Sequence, residues 1–132
     1  MRWPEKWEEQ LARVQESVNR LPYVVDAVRY KQPDFWAQLN SEGGDCEDYA
    51  IAKLRALVGL GWPIEALHLA CCSTELQEYH AVLIVETPEG TIMLDNRLPD
   101  NVKVEDLKII GYIPDVIQTI GGQPEWREWK FT

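Results

Sequence analysis

The stretch YHAVLIVETPEGTIMLD, residues 79–95, decides the fold. Tyr79 to Glu86 is a run of aliphatic and β-branched residues, Thr87-Pro88-Glu89-Gly90 has the composition of a turn, and Thr91 to Asp95 resumes the apolar pattern. An antiparallel hairpin is the simplest chain path for that pattern. Pairing Glu86 with Thr91 sets Val82 opposite Asp95 and puts His80 on the same face, one diagonal step away. Diagonal side chains lie about 7 Å apart at the backbone, a gap that an imidazole and a carboxylate close with a hydrogen bond. A slip of one residue in register would send the two to opposite faces. The hairpin alone leaves open whether they form a working pair or a strand histidine beside a hairpin cap.

Upstream, Leu67, Leu69 and Cys71 alternate with His68, Ala70 and Cys72, which predicts another strand, with Cys71 packed inward beside Leu69 and His68 exposed. Before it, Ala50, Leu54, Leu57 and Val58 form the apolar stripe of a helix ended by Gly59 and Gly61. Gly43 and Gly44 lead into that helix, so Cys46 falls in its first turn. Trp7, Leu11, Val14, Val18 and Leu21 recur at spacings of three and four, an amphipathic helix closed by Pro22 that reads as scaffold. Downstream, Val104–Leu107 reads as a helical turn and Ile109–Ile113 as a further strand; Trp126 and Trp129 either cover a core edge or serve an interface. The fold class expected is α+β: a helix carrying Cys46 packed on an antiparallel sheet carrying His80 and Asp95, with a cleft between them.

With 132 residues and 45% hydrophobic content, the chain fits one domain over residues 1–132. A formal charge of −9 repels nucleic acid and anionic membrane and leaves a protein or peptide as the expected partner. The opening residues MRWPEKWEEQ lack the apolar core of a secretory signal, and no segment is apolar enough to span a bilayer. The expected location is cytoplasmic as written, or periplasmic if the native N-terminus has been removed. The cysteine count is three, with Cys71 and Cys72 adjacent, which argues against a disulfide framework and for a reducing compartment.

Gly43-Gly44-Asp45-Cys46-Glu47-Asp48 places a thiol at a helix N-terminus, where unpaired backbone N–H groups and the helix dipole favour negative sulfur and can hold an oxyanion. The alternative is a buried cysteine behind an ordinary acidic helix start, with Asp45 as cap. Asp45, Glu47 and Asp48 crowd like charge around a sulfur that must itself become negative. A hard cation relieves this crowding, and calcium suits carboxylate and backbone oxygens, with Asp45 and Glu47 the natural ligands. The acids otherwise face water or pair with Lys53 or Arg55. Zinc on Cys46, Cys71, Cys72, His68 and His80 fits poorly, because no two cysteines are two residues apart and Cys71 and Cys72 point to opposite faces of a strand.

Three blocks, GDCEDYAIAKLRAL from Gly44, EYHAVLIVET from Glu78 and TIMLDNRL from Thr91, together resemble the bacterial transglutaminase-like cysteine peptidases, a group that includes the LapG-type adhesin proteases. The resemblance runs from about Tyr30 to about Leu107. It implies a papain-like, transglutaminase-like core in which Cys46 is the nucleophile, His80 the general base and Asp95 the group that orients the histidine. It implies attack on an amide carbonyl through a thioester, and calcium dependence through Asp45 and Glu47. Asn96, next to Asp95, belongs to the same block as a turn residue or a ligand, and Trp36 lies where related enzymes keep a tryptophan near the site. Hydrolysis and acyl transfer to an amine use the same three residues and stay open, as does a catalytically silent peptide-binding module. LapG-type enzymes are longer and exported, so the resemblance names neither the substrate nor the compartment.

Overall fold

The computed structural model describes residues 2–20, 45–119 and 126–129. Leu21, Pro22, Tyr30, Trp36, Gly43 and Gly44 lie outside the described residues. The N-terminal helix α1 covers Trp7–Asn19 and a second, α2, covers Asp45–Gly59. The strands are β1 Leu67–Ser73, β2 Tyr79–Thr87, β3 Gly90–Leu94, β4 Val102–Lys103, β5 Ile113–Thr119 and β6 Arg127–Glu128, with short 3₁₀ turns at Ile64–Ala66 and Val104–Asp106. Among the described residues they form one sheet in the order β4-β3-β2-β1-β5-β6, antiparallel at every junction. The fold is α+β, with two helices packed on that sheet.

The hairpin has the register its sequence predicts: Glu86 pairs with Thr91 and Thr87 with Gly90. Gly90, at φ +119, makes the turn where a residue with a Cβ would be strained. β1 lies on the other side of β2, and Cys72 pairs with His80.

Both faces of the sheet are buried. Leu67, Leu69, Cys71, Ala81, Leu83 and Leu94 pack with Leu11, Val14, Val18, Ala50 and Leu57 of the helices. On the other face Ala70, Cys72, Val82, Ile84 and Met93 pack with Leu107, Tyr112 and Trp129. Strands buried on both sides read as near-continuous apolar runs, as LHLACC and AVLIV do. Cys71 thus sits beside Leu69 as expected, and Cys72 faces the opposite way.

Four details differ from the sequence reading. His68 is buried, because the second layer covers its face; its ring lies 2.9 Å from both Thr119 Oγ1 and Glu86 Oε2. Val58 is 45% exposed, and the inward side of α2 carries Cys46, Glu47 and Lys53 instead. α1 ends at Asn19, before Leu21 and Pro22. Residues 107–111 form turns rather than a strand, since Gly111 takes φ +88 and Ile109 points to solvent, and β5 begins only at Ile113. The C-terminal tryptophans flank β6: Trp129 is buried on the second face and Trp126 packs against the helical one. No helix among the described residues is long and apolar enough to cross a membrane.

Candidate active site

β3 leaves its ladder with β2 at Leu94, opposite Leu83. Beyond that point the edge of β2 has no strand partner on this side among the described residues, and the amide of Ala81 donates to Cys46 Sγ at 3.2 Å. Cys46 lies in the first turn of α2 and is 3% exposed. At this edge of β2 a thiol from the helical face meets His80, whose side chain belongs to the opposite face. His80 Nε2 stands 2.5 Å from Asp95 Oδ1, and the ring also hydrogen-bonds Cys46. With Nε2 engaged by the carboxylate, Nδ1 is the nitrogen left for the sulfur. The structure thus brings Cys46, His80 and Asp95 together from α2, β2 and the first residue past β3.

Asp95 is 1% exposed and fully committed. Oδ1 accepts from the Arg97 amide at 3.0 Å as well as from His80, and Oδ2 accepts from the Tyr112 hydroxyl at 2.5 Å. Burial works against the charged carboxylate, but the bonds from His80, Tyr112 and the Arg97 amide outweigh it and hold the group below the usual carboxylate range. For His80, burial favours the neutral ring, yet the hydrogen bonds to Asp95 and Cys46 prevail and push it up to about 9. At neutral pH the ring is therefore an imidazolium held between a carboxylate and a sulfur. Burial also pushes the thiols of Cys71 and Cys72 up, so both stay protonated and inert.

Tyr112 is the site residue that sequence reading misses most completely. It approaches the His80 ring edge-on, with centroids 6.0 Å apart, and Arg97 donates to its hydroxyl at 3.0 Å. Arg97 is anchored in turn by an ion pair with Glu75. No local pattern marks Tyr112, because it follows a turn with no strand or helix periodicity of its own. Gln15 and Lys53 carried a legible signal: each is a polar residue on an apolar helical stripe, Gln15 between Leu11 and Val18, and Lys53 between Ala50 and Leu57.

Glu47 follows the thiol and is fully buried, close enough to Cys71 for its charge to be felt there. A carboxylate buried at that depth is a hard oxygen donor of the kind calcium takes. Asp45 is the first residue of α2, but its side chain is outside the described set. No three His, Cys, Asp or Glu side chains converge on a metal position among the described residues. Asn96 occupies the turn after Asp95.

Over residues 1–113 the chain matches the family described as bacterial transglutaminase-like cysteine proteinase BTLCP. Among solved structures it is similar to calcium-bound LapG of Legionella pneumophila, at 27% identity and a TM-score of 0.64, covering 87% of this chain and 66% of that one. EGTA-treated LapG of the same organism is 28% identical with a TM-score of 0.60, covering 83% of this chain and 62% of that one. The chain thus spans just under two thirds of the length of the LapG chains it matches. Nothing among curated proteins matches.

Proposed function

Because the chain belongs to the bacterial transglutaminase-like cysteine proteinases, we propose that it hydrolyses amide bonds of a protein or peptide, with Cys46 as nucleophile, His80 as acid–base group and Asp95 as its orienter. The observation that carries this reading is the 2.5 Å bond between His80 Nε2 and Asp95, made by a ring that also bonds Cys46.

With the shared proton on His80 Nδ1, the Cys46 sulfur attacks as the thiolate of an ion pair at the carbonyl carbon of the scissile amide. Backbone N–H groups in the first turn of α2 are the donors available to the resulting oxyanion. His80 returns its proton to the departing amine as the C–N bond breaks, leaving a thioester on Cys46. Water, deprotonated by His80, then attacks the thioester carbon; sulfur leaves as the thiolate while the proton stays on His80, which restores the ion pair and releases a carboxylic acid. Asp95 keeps the ring in the required tautomer and stabilises its cationic form throughout.

Asp45 and Glu47 are proposed to hold a calcium ion, which would offset the negative charge crowded beside the thiolate. The buried Glu47 carboxylate and the calcium-bound state of a LapG structure support this assignment.

The test is iodoacetamide labelling of the folded protein at neutral pH, mapped to each cysteine by mass spectrometry. Cys46 should label at least about tenfold faster than Cys71 and Cys72, and His80→Ala should slow it by a similar factor. Chelator should slow the wild type and leave Glu47→Gln unchanged. Equal labelling of the three thiols, indifferent to His80→Ala, overturns the reading. Incubation with a protein substrate and a fluorescent amine separates the two outcomes for the thioester, since new chain ends mark hydrolysis and an incorporated amine marks transfer.

A further inference from the structure

Asp95 is the first residue past β3, so the ladder that orders Leu94 does not reach it. Its backbone is held from the other side of the molecule. Gln15 Nε2 donates to the Asp95 carbonyl at 2.9 Å and to the Leu98 carbonyl at 2.8 Å, and Asn19 Nδ2 bonds the same two oxygens at 3.2 and 3.0 Å. These bonds join residues about 80 positions apart in sequence. The other end of the Gln15 amide, Oε1, accepts from Lys53 Nζ at 2.7 Å.

Gln15 is 1% exposed and Lys53 is fully buried. An ammonium group only donates, so Lys53 dictates which way the Gln15 amide points: its oxygen must face the lysine, and both N–H bonds must face the carbonyls. Burying the lysine carries a clear cost. Desolvation pulls it down to about 8, with the charge of Asp95 acting against that fall. A core that needed only packing would be served better by an apolar residue.

We propose that Gln15, oriented by Lys53, is a positioning residue that clamps the Asp95–Leu98 turn and so aims the Asp95 carboxylate at His80. The N-terminal helix is then part of the machinery of the site rather than support for it. α1 supplies the clamp, α2 supplies both the clamp's orienter and the nucleophile, and the turn after β3 supplies the acid. The inference rests on the Cys46-His80-Asp95 reading for its meaning, but its direct consequence is a geometric one at His80.

Two variants test it. Gln15→Met/Lys53→Met replaces the bonded pair with apolar side chains of similar length, and Gln15→Glu keeps a partner for Lys53 while removing both amide donors. The His80 ring is followed by NMR across pH; the chain has only two histidines, so its signal is readily assigned with His80→Gln. Each variant makes the surroundings of His80 more negative, and that change alone would push the ring further up. A displaced Asp95 does the reverse.

The expected result is a titration that falls from about 9 by a unit or more toward the ordinary value of about 6.5, with Cys46 labelling slowed about tenfold. A folded variant of either kind whose His80 titrates as in the wild type, or higher, overturns the proposal, and if one variant fails to fold the other decides. A wild-type His80 with an ordinary titration would overturn the reading of all three residues and this proposal with it. A wild type that titrates high beside variants that do the same overturns this proposal alone.

Discussion

The Tyr112 hydroxyl donates to Asp95 Oδ2 at 2.5 Å while His80 Nε2 takes Oδ1 at the same distance, so the two oxygens of one buried carboxylate are claimed from β2 and from the segment that leads into β5. Tyr112→Phe keeps the ring packed and removes only the donor. It leaves one carboxylate oxygen without that bond and Arg97 without that acceptor, so an unfolding free energy lower by about 1–3 kcal/mol is expected. The bond from Tyr112 helps hold Asp95 below the usual carboxylate range. Asp95 therefore stabilises the fold above its unfolded value of 3.8 and loses that contribution as pH falls through the folded value. In Tyr112→Phe that contribution is smaller, so acid unfolding should have its midpoint at a higher pH, which acid titration followed by circular dichroism would show.

Asp95→Asn preserves shape but removes the charge that supports the His80 cation. His80 should fall from about 9 toward about 6.5, and labelling of Cys46 at neutral pH should drop by about a hundredfold. NMR and labelling on one sample check both.

The folded value of His80 lies above its ordinary value of 6.5, at about 9. Its bonds to Asp95 and Cys46 therefore stabilise the fold fully below pH 6.5, and that stabilisation is lost as pH rises through 9. Lys53 acts in the opposite sense: held down near 8, it destabilises the fold at lower pH, and the penalty is relieved above that value. The difference in urea stability between wild type and His80→Gln isolates the histidine. It should shrink by on the order of 1–3 kcal/mol between pH 6 and pH 9.

Gly111 has φ +88, and a Cβ built there would lie 2.8 Å from Glu75 Cβ. Gly111→Ala combines a left-handed backbone with that overlap and should cost about 1–3 kcal/mol. Glu75 anchors Arg97, which bonds Tyr112, so a reduced rate at Cys46 should accompany the lower denaturation midpoint. A similar loss of labelling in Glu75→Gln, with Gly111 intact, would trace the defect to the Glu75 anchor of Arg97.

The hairpin was legible because its cues are local. An aliphatic, β-branched run, a Pro and Gly turn and the pairing of Glu86 with Thr91 suffice to put His80 and Asp95 on one face. The strand expected at residues 109–113 failed for a comparable reason in reverse. Its apolar residues suggest extension, but Gly111 takes a positive φ and the chain turns there. The exposed position expected for His68 failed because alternation gives the face of a strand and not what covers it; here the second layer buries it.

What the amino-acid sequence determined by itself is the set of pieces whose order is short-ranged: the strand periods, the turn, the helix start at Cys46 and the family blocks around the three residues. The tertiary structure alone decided what holds Asp95. Tyr112 reaches it across a turn, and Gln15, paired with Lys53 of the second helix, reaches it from about 80 residues away. Periodicity reports which side of an element is apolar, so it flags a glutamine or lysine on the wrong side, but a hydrogen-bond partner that distant is specified only when the helices dock on the sheet.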